Sequence, residues 1–287
     1  MRSSREWVRP SAAGFTLVEL SVVFTIVALL LGSLMYTLSA QVEQRNFEET
    51  RRRLDQAREL LLSFAIVNGR LPCPGRYTSS ASHSQGFESF CVAATGSCAG
   101  SETTTVQTHG NCSNFYDGFV PAAAIGITSV DSSGFAVDAW GNRIRYAIAK
   151  ANTLCATSPP LNTYLFSSTT TSPSNVRNYG IACQPNDLIV CKSATGINWP
   201  TSPCGGQANQ IMSQSLVVAL VFSTGKNGSV GGTGLDEAAN LNGTVDPVFV
   251  YHTPTPTDAA NGEFDDQFTW ITVGELYGRL IAAGVLP

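Results

Sequence analysis

The 287-residue chain carries 13% charged and 43% hydrophobic residues and a formal net charge of −4. This length holds a core-bearing domain beyond any N-terminal anchor, and the apolar content excludes disorder throughout. After Arg70 there are eight basic against fourteen acidic residues, so bulk charge gives nucleic-acid binding no support.

Residues 1–14 are polar and basic, with Arg2, Arg5 and Arg9, and end at Gly14. Phe15 to Ala40 is apolar with Glu19 as its only charge, which leaves an uncharged run from Leu20 to Ala40. A bilayer is spanned by about 20 apolar residues, so 15–40 predicts a transmembrane helix. The three arginines put its N-terminal side in the cytoplasm and the rest of the chain outside. A cleaved secretory signal would want a small-residue site downstream, and Ser39-Ala40-Gln41 is a poor one.

Residues 41–69 continue the helix. No Pro or Gly interrupts 41–67, and Phe47, Leu54, Ala57, Leu61 and Phe64 make one apolar stripe among charged faces. Asn68-Gly69 with Pro72 beyond is a stop signal.

The domain 70–287 opens with a long Ser/Thr/Asn/Gly-rich segment, 76–114, and has a second at 156–180; both read as surface loops. Arg143 to Ile148 alternates as a half-buried strand, and Leu216 to Phe222, Pro247 to Tyr251 and Gln267 to Val273 are further strands of an antiparallel sheet. Glu275 to Ala283 reads as a terminal helix with Leu276, Leu280 and Ile281 on one side and Gly284 as its stop. The fold class is therefore α+β: a long N-terminal helix, half transmembrane and half amphipathic, packed on an antiparallel sheet.

Cys73, Cys91, Cys98, Cys112, Cys155, Cys183, Cys191 and Cys204 all follow the helix and contain no CxxC pair. An even count without metal-ligand spacing points to disulfides, and hence to an oxidising compartment such as the periplasm. Cys91, Cys98 and Cys112 would staple the long loop that contains them, with the pairing left open.

Gly14-Phe15-Thr16-Leu17-Val18-Glu19-Leu20 resembles the cleavage and methylation site of type IV prepilins and type II secretion pseudopilins. The resemblance implies a prepilin peptidase that cuts after Gly14, methylation of Phe15, and assembly guided by Glu19. It also implies other pilins or pseudopilins, membrane lipid and an inner-membrane assembly platform as partners. The protein would then sit in a bacterial inner membrane with its domain in the periplasm, before entering a pilus or pseudopilus. Tyr36 stands where many family anchors have proline, so less of a kink is expected there. Independently, a carboxylate at membrane depth costs at least about 2.5 kcal/mol unless partnered. The amine freed at Phe15 on a neighbouring subunit would be such a partner.

Arg70-Leu71-Pro72-Cys73-Pro74, Gly118-Phe119-Val120-Pro121 and Asp138-Ala139-Trp140-Gly141-Asn142 onward to Tyr146 resemble patches of large minor pilins and pseudopilins. Asp-x-Trp-Gly-Asn is turn chemistry whose indole covers a core edge, a structural role. From Asn227 to Gly278 acids occur with no Lys or Arg. Gly225-Lys226-Asn227-Gly228 through Gly231-Gly232-Thr233-Gly234-Leu235-Asp236 resembles the calcium-binding loop of the major pseudopilin. The resemblance makes calcium the candidate cofactor and Asp236, Glu237, Asn240, Asn242 and Asp246 its candidate ligands, with hard oxygens of the type calcium takes. A solvated acidic loop is the alternative, and Phe264-Asp265-Asp266 reads as turn and strand-start chemistry.

No G-x-S-x-G, H-E-x-x-H or G-x-x-x-x-G-K occurs, and His83, His109 and His252 are scattered, so no catalytic residue is expected. The reading is a minor pilin or pseudopilin, a structural filament subunit. The alternatives are a filament-displayed binding module, an adhesin or uptake subunit using the Cys91–Cys112 loop, and a tethered periplasmic enzyme.

Overall fold

The structure is a computed structural model that describes residues 14, 16–76, 85–94, 96, 98, 100–151, 166–168, 176–182, 184–232, 234–241 and 246–286. The leader 1–13, Phe15, Cys155, Cys183 and Asn242 lie outside the described residues. The chain divides into two compact units, one ending at Asn46 and one beginning at Phe47.

Helix α1 runs Leu17–Asn68. It starts where Thr16 and Glu19 cap each other: the Glu19 amide donates to Thr16 Oγ1 (3.2 Å), and Glu19 Oε2 accepts from the Thr16 amide and hydroxyl (both 2.9 Å). That reciprocal arrangement satisfies amides the helix start would otherwise leave open. In the first unit the apolar side chains from Leu17 to Leu31 are exposed. Among the described residues no helix is long and apolar enough to cross a membrane. The expected span 15–40 includes Phe15 and the side chains of 33–38, which are outside the described set.

In the second unit the stripe expected from the sequence packs inward. Leu54, Ala57 and Leu61 are buried, with Leu62 and Ala65 beside them and Phe64 packed against the same core. Phe47 meets Trp140 edge-on, with ring centroids 4.9 Å apart. Each buried leucine contributes about 1.5–3 kcal/mol. The helix stops at Gly69, whose φ of 69° suits glycine and whose amide donates to Ala65 O (2.8 Å).

The main sheet has strand order β3-β4-β7-β9, all antiparallel, with β3 Gly118–Phe119, β4 Arg145–Ile148, β7 Val217–Ser223 and β9 Gln267–Thr272. All seven residues of β7 are buried, as suits a central strand covered on both faces. Helix α5, Val273–Ala282, follows β9 directly and is capped by Thr272 Oγ1, which accepts from the Glu275 amide. Arg58 of α1 ties this end down, donating to Trp270 O (3.0 Å) and to Glu275.

One expectation is corrected. The run Pro247 to Tyr251 does form a strand, β8 Val248–Val250, but it lies outside the main sheet and pairs parallel to β5, Ile189–Cys191. With β6, Gln210–Met212, these make a second sheet of order β6-β5-β8. The cause is local: Asn240 of α4 (Leu235–Asn240) donates to Val250 O (3.0 Å) and accepts from Val250 N (2.7 Å), holding β8 against that helix.

The first loop is less irregular than the sequence suggests, since β1, Phe90–Cys91, and β2, Glu102–Thr103, pair within it. Cys91 bonds Cys98, Cys191 bonds Cys204, and Cys112 reaches back to Cys73 at the helix exit. Closing the 39-residue separation of Cys73 and Cys112 stabilises by roughly 3–5 kcal/mol on loop-entropy grounds. At the same exit Arg70 and Glu88 form a buried two-pronged pair (2.5 and 2.8 Å), and Glu88 also accepts from the Cys73 amide (2.8 Å).

Candidate functional site

Two places concentrate chemistry. The first is the start of α1. Gly14 is exposed with no atom near the position a Cβ would take, so its backbone is open to a processing enzyme. Five residues on, Glu19 is exposed and, among the described residues, bonded within its own turn to Thr16.

The second is a pocket of acids in the C-terminal third. One carboxylate oxygen from each of Glu237, Asp265 and Asp266 lies within 4.8 Å of the others, and all three residues are buried. Glu237 Oε1 accepts from the Asp265 amide (3.0 Å), and both its oxygens accept from Asn227 Nδ2 (3.1 and 2.9 Å). Asp265 Oδ2 accepts from the Lys226 amide (2.8 Å), whereas its Oδ1 and Asn227 Oδ1 are buried without a hydrogen-bond partner. Asp266 Oδ2 accepts from Asn240 Nδ2 (2.7 Å).

Glycines make this approach possible. At Gly225, with φ 61°, a Cβ would collide with Asp265 Oδ1, so a side chain there would exclude the carboxylate. Burial, with the charges of Glu237 and Glu263 adding, pushes Asp265 up to about 6 against the pull of the Lys226 amide. Burial pushes Asp266 well above the usual carboxylate range, with Glu237 and Asp265 adding to it.

Of the expected ligands that the structure describes, Glu237 alone belongs to this group of acids; Asn242 lies outside the described residues. Asp236 turns to the other side of α4, where its carboxylate accepts from the Ala194 amide (2.5 Å), Ser193 Oγ and Asn261 Nδ2 and faces His252 Nε2 (3.1 Å). Asn240 braces Asp266 and β8, with its oxygen already accepting from Val250 N. Asp246 accepts from the Val248 amide at the start of β8 (3.1 Å). The donor set that fits a hard divalent cation is Glu237, Asp265 and Asp266: oxygens only, with Asp265 Oδ1 orphaned in the protein interior.

The start of α1 can be compared directly. Residues 9–35 match the family model of the prokaryotic N-terminal methylation motif. That segment is similar to the N-terminus of type IV pilin-like proteins. No curated protein and no solved structure was found to match it. Proteins that carry this motif are generally structural subunits that a prepilin peptidase processes and that assemble with other pilins.

In the second unit the Asp138–Asn142 turn is held by its own side chains, the turn chemistry that its residue types suggest. Asp138 Oδ1 accepts from the amides of Trp140 (2.9 Å) and Asn142 (2.8 Å), and its Oδ2 accepts from Ser223 Oγ (2.6 Å). Burial pushes Asp138 up despite these bonds. Asn142 Nδ2 donates to Gly225 O (2.6 Å), so the turn also steadies the glycine loop beside the acids. Sequence reasoning passed over Thr16, whose Thr-x-x-Glu spacing is a readable capping box, and Asp265 and Asp266, adjacent acids in a stretch free of Lys and Arg.

Proposed function

We propose that the chain is a minor pilin or pseudopilin, a low-copy structural subunit of a type IV pilus or type II secretion pseudopilus. In this reading the leader is cut after Gly14, residues 15–40 hold the protein in the inner membrane, and the domain faces the periplasm until the helix enters a filament. The observation that carries it is the methylation-motif match over 9–35, with Gly14 and Glu19 at the positions that cleavage and assembly require. The disulfides accord with a periplasmic domain, and the bulky loops with a low-copy place. Glu19 pairs with the new amine of Phe15 on a neighbouring subunit, exchanging its bonds to Thr16 for a charge pair at low dielectric.

The acidic pocket seats a calcium ion through Glu237, Asp265 and Asp266, and the ion fastens α4 to the start of β9. Co-purification of tagged wild type and Glu19→Ala with sheared filaments tests the subunit assignment. The wild type enters the filament fraction after processing; its absence from that fraction in a strain that assembles filaments would sink the reading.

A further inference from the structure

A second cleft, on the opposite chemical footing from the acidic pocket, lies beside the first loop. It measures about 440 Å³, within the range of small-molecule sites, and its walls include Cys91, Cys98, Asn111, Ser113 and Lys150. Among the described residues Lys150 is its only charged lining residue, in a domain whose acids outnumber its bases. The Lys150 ammonium is half-buried and lies over two ring faces, 4.7 Å from the Phe115 centroid and 5.1 Å from that of Tyr116. No carboxylate comes within ion-pair range of it among the described residues. Asp187, the acid whose charge it feels, is already engaged by Tyr116 Oη (2.7 Å), the Lys150 amide (3.0 Å) and the Leu188 amide (2.9 Å).

A cation drawn partly out of water over two ring faces, with its nearest acid already engaged by other donors, lacks the hydrogen-bonded counter-ion that normally compensates such burial. Burial pushes the Lys150 ammonium down, against the pull of Asp187. One cation balances one negative charge, which favours a monocarboxylate over a phosphate dianion. The other polar walls offer acceptors: the Asn111 amide group donates both ways to Ala93 O (3.0 Å) and Gly96 O (3.1 Å), leaving its oxygen, and Ser113 Oγ donates to Ser89 Oγ (2.7 Å), leaving its lone pairs. Ligand hydroxyls complement such acceptors. The Cys91–Cys98 and Cys73–Cys112 bridges hold the wall in place before a ligand arrives.

We propose that this cleft binds a small hydroxylated monocarboxylate of the uronic-acid type, with the carboxylate on the Lys150 ammonium and ligand hydroxyls on Asn111 and Ser113. The site is independent of the filament role, since it uses none of the N-terminal residues.

The test is calorimetric titration of the detergent-solubilised full chain with galacturonate, with galactose as the uncharged control. Saturable binding of galacturonate to wild type and to Lys150→Arg, at least about tenfold weaker in Lys150→Gln of unchanged melting temperature, is the expected result. Equal binding by Lys150→Gln, equal binding of galactose, or no saturable heat with wild type overturns the proposal. Should Lys150→Gln not fold, acetylation of the wild-type chain followed by peptide mapping decides. Galacturonate should slow modification of Lys150 and leave Lys192 unaffected; no protection of Lys150 overturns the site.

Discussion

Glu19 and Glu237 are both glutamates near the start of a helix, and they are legible in opposite ways. Glu19 is exposed, bonded within its own turn, and its meaning lies in the residues on either side: Gly14 before it and an apolar run after it. Glu237 is buried, and its meaning comes from Asp265 and Asp266, nearly thirty residues away, brought to it by the start of β9 and a glycine loop. In the proposed reading, a processing and assembly signal is recognised on one short stretch of chain at the helix start, so it is linear. An ion seat needs oxygens converging from several directions, so it is tertiary.

The comparison can be broken most severely at the linear end. Gly14→Ala should abolish processing altogether, seen as an uncut chain on a gel shift, since the proposed cut follows Gly14. Glu19→Ala should leave insertion and cleavage intact but cut recovery in sheared filaments by about tenfold or more, as the loss of a low-dielectric charge pair implies. Normal filament entry by Glu19→Ala would remove the pairing.

Leu61→Ala, in the helix face the sheet covers, should cost about 2–5 kcal/mol in denaturant unfolding without touching processing. It separates folding of the domain from reading of the signal.

The smallest effects belong to the acids. Asp265 is pushed up to about 6 in the folded state, above its unfolded range, so the native protein binds the extra proton. Its penalty is fully present above that value and is relieved as pH falls towards the unfolded carboxylate range. Without calcium the melting temperature should therefore rise by a few degrees from pH 7.5 to pH 5. Calcium should raise it at pH 7.5 and flatten that dependence. Asp265→Asn should raise the calcium-free melting temperature and abolish the calcium response. An unchanged melting temperature in chelator at pH 7.5 would remove the ion.

Much of the frame was readable before the structure. The stripe at Leu54, Ala57 and Leu61, the helix stop at Gly69, and strands β4, β7 and β9 with α5 behind them follow from period, turn residues and caps. The partner of β8 was not readable. Its mate, Ile189–Cys191, is a three-residue apolar run amid polar loops, too short to carry a period, and the Asn240 clamp that sets the strand's place is a side-chain contact that no hydrophobic pattern encodes. The acid pocket divided in the same way. Glu237 sits in the glycine-rich segment that attracted attention, while Asp265 and Asp266 were masked by ordinary strand-start chemistry. Asp236 and Glu237, adjacent on α4, point to different partners, which residue type alone does not decide.

The measurement that bears most directly on the central claim is the intact mass of the membrane-extracted protein, co-expressed with and without a prepilin peptidase. Peptidase-dependent loss of residues 1–14 with one methyl group on Phe15 is the predicted result. A chain that keeps its leader, or is cut elsewhere, in the presence of an active peptidase would contradict the account.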